Sequence, residues 1–185
     1  MSNKLGLREI VLAFVAIGLI GAGIMLKPDI QQTEGDDPTH PMLADGLKQK
    51  LNEINALEIS RGDNEKATIA KDVEGIWRVK ELYGYPASTA EIRKALLYLS
   101  QSELREKKTD DTEKMDRIGL NAQQVYHVRL KQNIDTLYHI MLGNPTRDAT
   151  GTYVQVGKDT QSYVASGRLE LKANPHDWLF YELFS

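Results

Sequence analysis

The sequence predicts an α+β protein: one N-terminal transmembrane helix followed by a mainly antiparallel sheet with one or two packed helices. Three observations lead there. An uncharged apolar run fills residues 10–26, several later segments alternate apolar and polar residues, and one segment repeats apolar residues at helical spacing behind a capping signal.

The run at 10–26 (IVLAFVAIGLIGAGIML) follows Lys4 and Arg8 and ends at Lys27 and Pro28. Its seventeen residues would cover about 25 Å as a helix, slightly less than a hydrocarbon core. Leu5, Leu7 and the snorkelling stems of Arg8 and Lys27 extend the span. Backbone inside lipid must satisfy its own hydrogen bonds, so the run is expected to be a helix contacting the bilayer through residues 10–26. Basic residues before it and the acidic Asp36 and Asp37 after it predict a cytoplasmic N-terminus. A cleaved signal peptide is the rival reading, with Gly21 and Gly23 as a poor cleavage site. The length of the run and the lack of an A-x-A motif favour an uncleaved anchor. Gly18, Gly21 and Ala22 are candidate packing positions, because small residues let a second membrane helix approach closely.

Residues 28–42 read as a linker, with three prolines, acidic residues and little to bury. Residues 43–185 then form the soluble domain. Setting aside Lys4, Arg8, Lys27 and Glu9, the remainder carries 20 basic and 25 acidic residues. So acidic a balance excludes nucleic acid as a partner and disfavours binding to anionic headgroups through a basic face. With no cysteine, the chain has no disulfide framework, thiolate metal site, cysteine nucleophile or lipidated cysteine.

Along the domain, residues 43–52 suggest a brief helix before a strand at 56–60, a turn at 61–64, and strands at 66–71 and 75–80. Ile59, Ile69, Ile76 and Trp77 are the expected buried positions of this meander. Tyr83-Gly84-Tyr85-Pro86 is expected to break the sheet. Ser88 and Glu91 form a capping box, behind which Ile92, Ala95, Leu96 and Leu99 line one face of a helix reaching about Ser102. A charged crossing at 105–109 leads to a short helix near 111–118, capped by Gly119. Strands at 125–131 and 136–142 pair as a hairpin, with Tyr126, Val128 and Leu130 facing the same way as Tyr138, Ile140 and Leu142. Strands at 152–156 and 162–165 form another, turning at Gly157-Lys158-Asp159. Asp177-Trp178-Leu179-Phe180 is expected to dock on the core.

The order LNEINALEIS, GIWRVKELYGYPAS, the capped helix, EKKT, a short helix ending IGL, GTYVQV, SYVASGRLEL and a terminal DWL resembles the bacterial family called domain of unknown function 4340. The resemblance spans about residues 47–183. It implies an inner-membrane protein with a single N-terminal helix and a periplasmic domain, in some members beside ABC-type transport systems. Many members carry a second, similar module, and one module is expected here. The family has no established catalytic residues.

The residues themselves offer no catalytic motif: neither a G-x-S-x-G elbow, a Walker loop nor an H-E-x-x-H pair occurs, and no cofactor is expected. Among four histidines, His127 and His139 would be cross-strand neighbours on the polar face of their hairpin. Two imidazoles start a metal site, but no third ligand is evident in the sequence, so the pair reads as strand residues and no metal is expected. Asp110, Asp111, Glu113 and Asp116 lack the EF-hand spacing and fit a capped helix start. Arg147 and Arg168 sit in turn sequences, and a lone exposed arginine is poor evidence of an anion site.

Trp77, Tyr83 and Tyr85 are the candidate contacts for a partner or ligand, weighed against a role in packing the core and bracing the Pro86 turn. The expected function is that of a non-enzymatic, membrane-anchored accessory or structural subunit of a bacterial cell-envelope complex, its partner an integral membrane protein complex and a small-molecule ligand not expected. The alternative is a periplasmic module binding a peptide or glycan at Tyr83 and Tyr85.

Overall fold

Alternating side chains decide the architecture. Leu57, Ile59, Ala67, Ile69, Val128, Leu130, Ile140, Leu142 and Val154 are all buried in one cluster, each separated from the next on its strand by a residue facing away. The strands carrying them are β2 (Ala56–Arg61), β3 (Glu65–Lys71), β7 (Tyr126–Gln132), β8 (Asp135–Pro145) and β9 (Gly151–Val156). Further strands are β1 (His40–Pro41), β4 (Trp77–Val79), β5 (Tyr85–Pro86), β6 (Glu103–Lys107) and β10 (Ser162–Ser166). The computed structural model describes residues 40–43, 47–63 and 65–181. In it the ten strands form one antiparallel sheet in the order β1-β6-β10-β9-β8-β7-β2-β3-β4-β5.

Helix α2 (Thr89–Gln101) covers the apolar face of the sheet with Ile92, Ala95, Leu96 and Leu99. Its start is the expected one: the Ser88 hydroxyl accepts from the Glu91 N–H at 3.3 Å. The helix follows β5 at one end of the strand order and leads into β6 near the other. Short α1 (Leu47–Lys50) precedes β2, and α3 (Thr112–Arg117) lies between β6 and β7. Asp111 caps α3 by accepting from the Glu113 N–H at 3.0 Å, and Gly119 ends it at φ 77°. Behind β8, the Asn144 N–H donates to the Ile118 carbonyl at 2.8 Å, and a Cβ at Gly143 would collide with that same carbonyl. Glycine is therefore required where the residues that follow α3 press against β8.

Three expectations need correction. The charged stretch at 105–109 is not a crossing, because most of it belongs to strand β6, paired with β10 and β1. Only Leu104 of that strand is buried, so no alternation announced it. The sheet does not end at Tyr83-Gly84-Tyr85-Pro86 either: a left-handed turn at Tyr83 and Gly84 sends the chain back as β5. Ile76 is 43 % exposed where Trp77 is 9 %, since Ile76 lies in the turn closed by Asp72, whereas Trp77, the first residue of β4, reaches the core.

The sheet also begins inside the segment read as linker. His40 and Pro41 pair with Leu104 and Glu103, and Met42 and Leu43 are buried. Pro41 is tolerated because it lies on an edge strand. The run at 10–26, with Gly18, Gly21 and Ala22, lies outside the described residues. No helix among the described residues is long and apolar enough to cross a membrane.

Candidate functional site

Strand β4 is held at both ends by one side chain. Before it, the Asp72 carboxylate accepts from the N–H groups of Glu74 and Ile76, each at 2.9 Å, and closes the turn from β3. After it, a 3-10 turn at Lys80–Leu82 leads to Tyr83, at φ 54°, and Gly84, at φ 73°. Arg78, in the middle of β4, donates through Nε to Asp72 and through Nη1 to the Gly84 carbonyl at 3.2 Å. A single guanidinium thus ties the two turns together. The Arg78 hydrogen bond, helped by the Ile76 N–H, holds the Asp72 carboxyl below the usual carboxylate range.

This clamp presents apolar side chains to solvent. Val73 and Ile76 are exposed on the first turn, Tyr83 and Tyr85 on the second. The C-terminal segment adds Phe180 and Tyr181, drawn alongside β5 by the Phe180 N–H donating to the Pro86 carbonyl at 3.1 Å and by the Ala87–Leu179 bridge. Of the three predicted contact residues, Tyr83 and Tyr85 lie on this rim and Trp77 does not. Trp77 is buried in the core cluster, with the Lys71 ammonium 5.1 Å from its ring centroid. Trp178 and Leu179 pack on the core as expected, and the Trp178 indole donates to the Lys172 carbonyl at 2.8 Å, while Phe180 stays half exposed. Val73 and Tyr181 were not singled out in the sequence, and Ile76 was expected in the core. Isolated apolar residues in turns carry no periodicity to mark them.

Elsewhere, two neighbouring concavities of about 370 and 500 Å³ lie along α2, both bordered by Tyr98 and Arg168. Neither is bordered by Tyr83 or Tyr85. Arg168 there is paired with Glu170. On the face of the sheet away from α2, His127 Nδ1 and His139 Nε2 stand 3.1 Å apart, the rings stacked at 21° with centroids 5.3 Å apart. Burial first, and then the Arg129 charge, hold both imidazoles below their ordinary range, and His127 adds to the effect on His139.

The sequence pattern of the family described as Domain of unknown function (DUF4340) matches residues 77–185. The chain belongs to this family. The DUF4340 match begins at Trp77, so it takes in β4 through the C-terminus, including the Tyr83–Tyr85 turn and the histidine hairpin. It is narrower than the resemblance over 47–183. Yet β2 and β3, which precede it, sit inside the sheet between β7 and β4. The structural unit of this DUF4340 chain is therefore larger than the matched stretch. No curated protein and no solved structure matches the chain.

Proposed function

We propose that this protein is a non-enzymatic accessory module that docks on an integral membrane complex of the bacterial envelope through the rim around β5. In this reading residues 10–26 anchor it in the inner membrane, and the described domain lies on the periplasmic side. The observation that carries the proposal is Tyr83. Its side chain is wholly exposed and its backbone sits in the left-handed region, so neither packing nor conformation accounts for a tyrosine there. Exposed Tyr85, Phe180, Tyr181 and Ile76 extend the apolar character of this end of the sheet, and aromatic anchors of this kind dominate protein interfaces. The alternative, a peptide or glycan module at Tyr83 and Tyr85, needs a concave surface around them, and the exposure of Tyr83 speaks against one.

The test is capture of the intact chain from its native membrane in mild detergent, beside a Tyr83→Ser/Tyr85→Ser variant and a chain lacking residues 1–27. A defined membrane complex held by the intact chain, and lost from the double variant, is the expected result. Equal retention by the double variant would move the interface off the rim. If the intact chain captures nothing, the accessory reading fails.

A further inference from the structure

The histidine pair has a third neighbour of useful chemistry. Met141 lies directly across from His127 in the β7–β8 register, and it is two residues from His139 on the same strand. The three side chains therefore share one face of the sheet, and all three are half-buried. Residues directly opposite on antiparallel strands have Cβ atoms about 5 Å apart, within easy reach of a flexible thioether. Ser60 flanks His127 on β2, and Gln155 flanks Met141 on β9.

We propose that His127, His139 and Met141 form a binding site for one monovalent soft cation, Cu(I). Two nitrogens bound to one metal at about 2.0 Å each, at angles near 100–120°, stand about 3.1–3.5 Å apart. The 3.1 Å between His127 Nδ1 and His139 Nε2 already lies at the lower end of that span, and metal entry replaces their mutual hydrogen bond by tilting both rings toward a common point. Without metal, one ring N–H donates to the other ring's lone pair. On binding, that proton moves to the outer nitrogen of its own ring and both inner lone pairs turn to the ion. The exchange is neither an oxidation nor a reduction.

Ligand type and charge select the ion. A thioether beside two imidazoles is a soft set, whereas Zn(II), Mg(II) and Ca(II) sites draw on thiolate, further imidazole or oxygen donors. Arg129 is directly opposite His139 on this face, and its neighbour Glu58 is engaged by Lys131 at 3.0 Å. The standing positive charge disfavours a divalent ion more than a monovalent one. The proposal is independent of the rim and its partner.

The experiment is an anaerobic titration of the full chain, in detergent, against the Cu(I)–bicinchoninate complex. The wild type is expected to withdraw one equivalent. His139→Gln should abolish the withdrawal, and Met141→Leu, close in volume, should weaken it at least tenfold with the thermal midpoint unchanged. Withdrawal no greater than that of a His127→Gln/His139→Gln chain would overturn the site. Unchanged affinity in Met141→Leu, or Zn(II) bound as tightly as Cu(I), would overturn its soft character. Ag(I), a redox-inert soft ion, gives a second readout on the unmodified chain: ring-proton resonances of two histidines should shift at one equivalent, and no shift counts against the site.

Discussion

Tyr83 holds a left-handed backbone, φ 54°, with its ring entirely in solvent. That conformation costs a side-chain-bearing residue about 1–2 kcal/mol, while glycine adopts it freely but loses about 0.5–1 kcal/mol more chain entropy on folding. Tyr83→Gly should therefore stabilise the domain by about 0.5 kcal/mol, readable as a raised urea midpoint with unchanged slope, while weakening capture of the partner. Asp72 predicts a pH dependence. Its folded pKa lies below the ordinary 3.8, so its contribution is complete above that value and is lost as pH falls through the folded one. Between pH 5 and pH 3 the wild type should lose more of its urea midpoint than Asp72→Asn, and equal losses would exclude the clamp as the source. Single residues also mark the limit of what the sequence conveys. Trp77 and Ile76 are adjacent and both apolar, and nothing in their identity says which faces inward. The register does, pairing Trp77 with Lys71 and leaving Ile76 in the turn closed by Asp72.

Elements with a strong period were legible, and those without one were not. Helix α2 announced itself through Ser88, Glu91 and its apolar stripe, and the β7–β8 hairpin has its apolar faces matched as expected, with Val128 opposite Ile140. The histidine pair followed from that matching, although the register makes the two rings diagonal neighbours rather than direct partners. Strand β6 was hidden because four of its five residues, Glu103, Arg105, Glu106 and Lys107, are charged and exposed. Such charge is typical of a strand near a sheet edge, where it discourages pairing with another chain. β5 was hidden for another reason: two residues are too few to show alternation, and its pairing depends on the turn before it. At Gly143 the constraint is steric. Gly143→Ala would drive a methyl group into the Ile118 carbonyl and should cost about 1–3 kcal/mol in chemical denaturation.

At the scale of the whole domain, one buried cluster joins residues from both ends of the sheet, among them Leu104 of β6, Trp77 of β4, Leu99 of α2 and Trp178 near the C-terminus. Removing any large member should be felt throughout. Trp178→Ala is expected to cost about 3–5 kcal/mol and to preserve a single unfolding transition, and a two-step melt would show that the C-terminal segment unfolds apart from the sheet. The connection made by α2 sets a further condition. From β5 to β6 the strand order counts eight steps, about 38 Å across a flat sheet at the usual spacing. The thirteen residues of α2 span only about 20 Å, and the few linking residues add about 10 Å. The sheet must therefore bend around its helix, as a bow is held by its string. The length of α2, a local property of the sequence between Ser88 and Ser102, is then what limits how far the strands can splay apart. A partner that flattened this sheet would first have to unwind that helix.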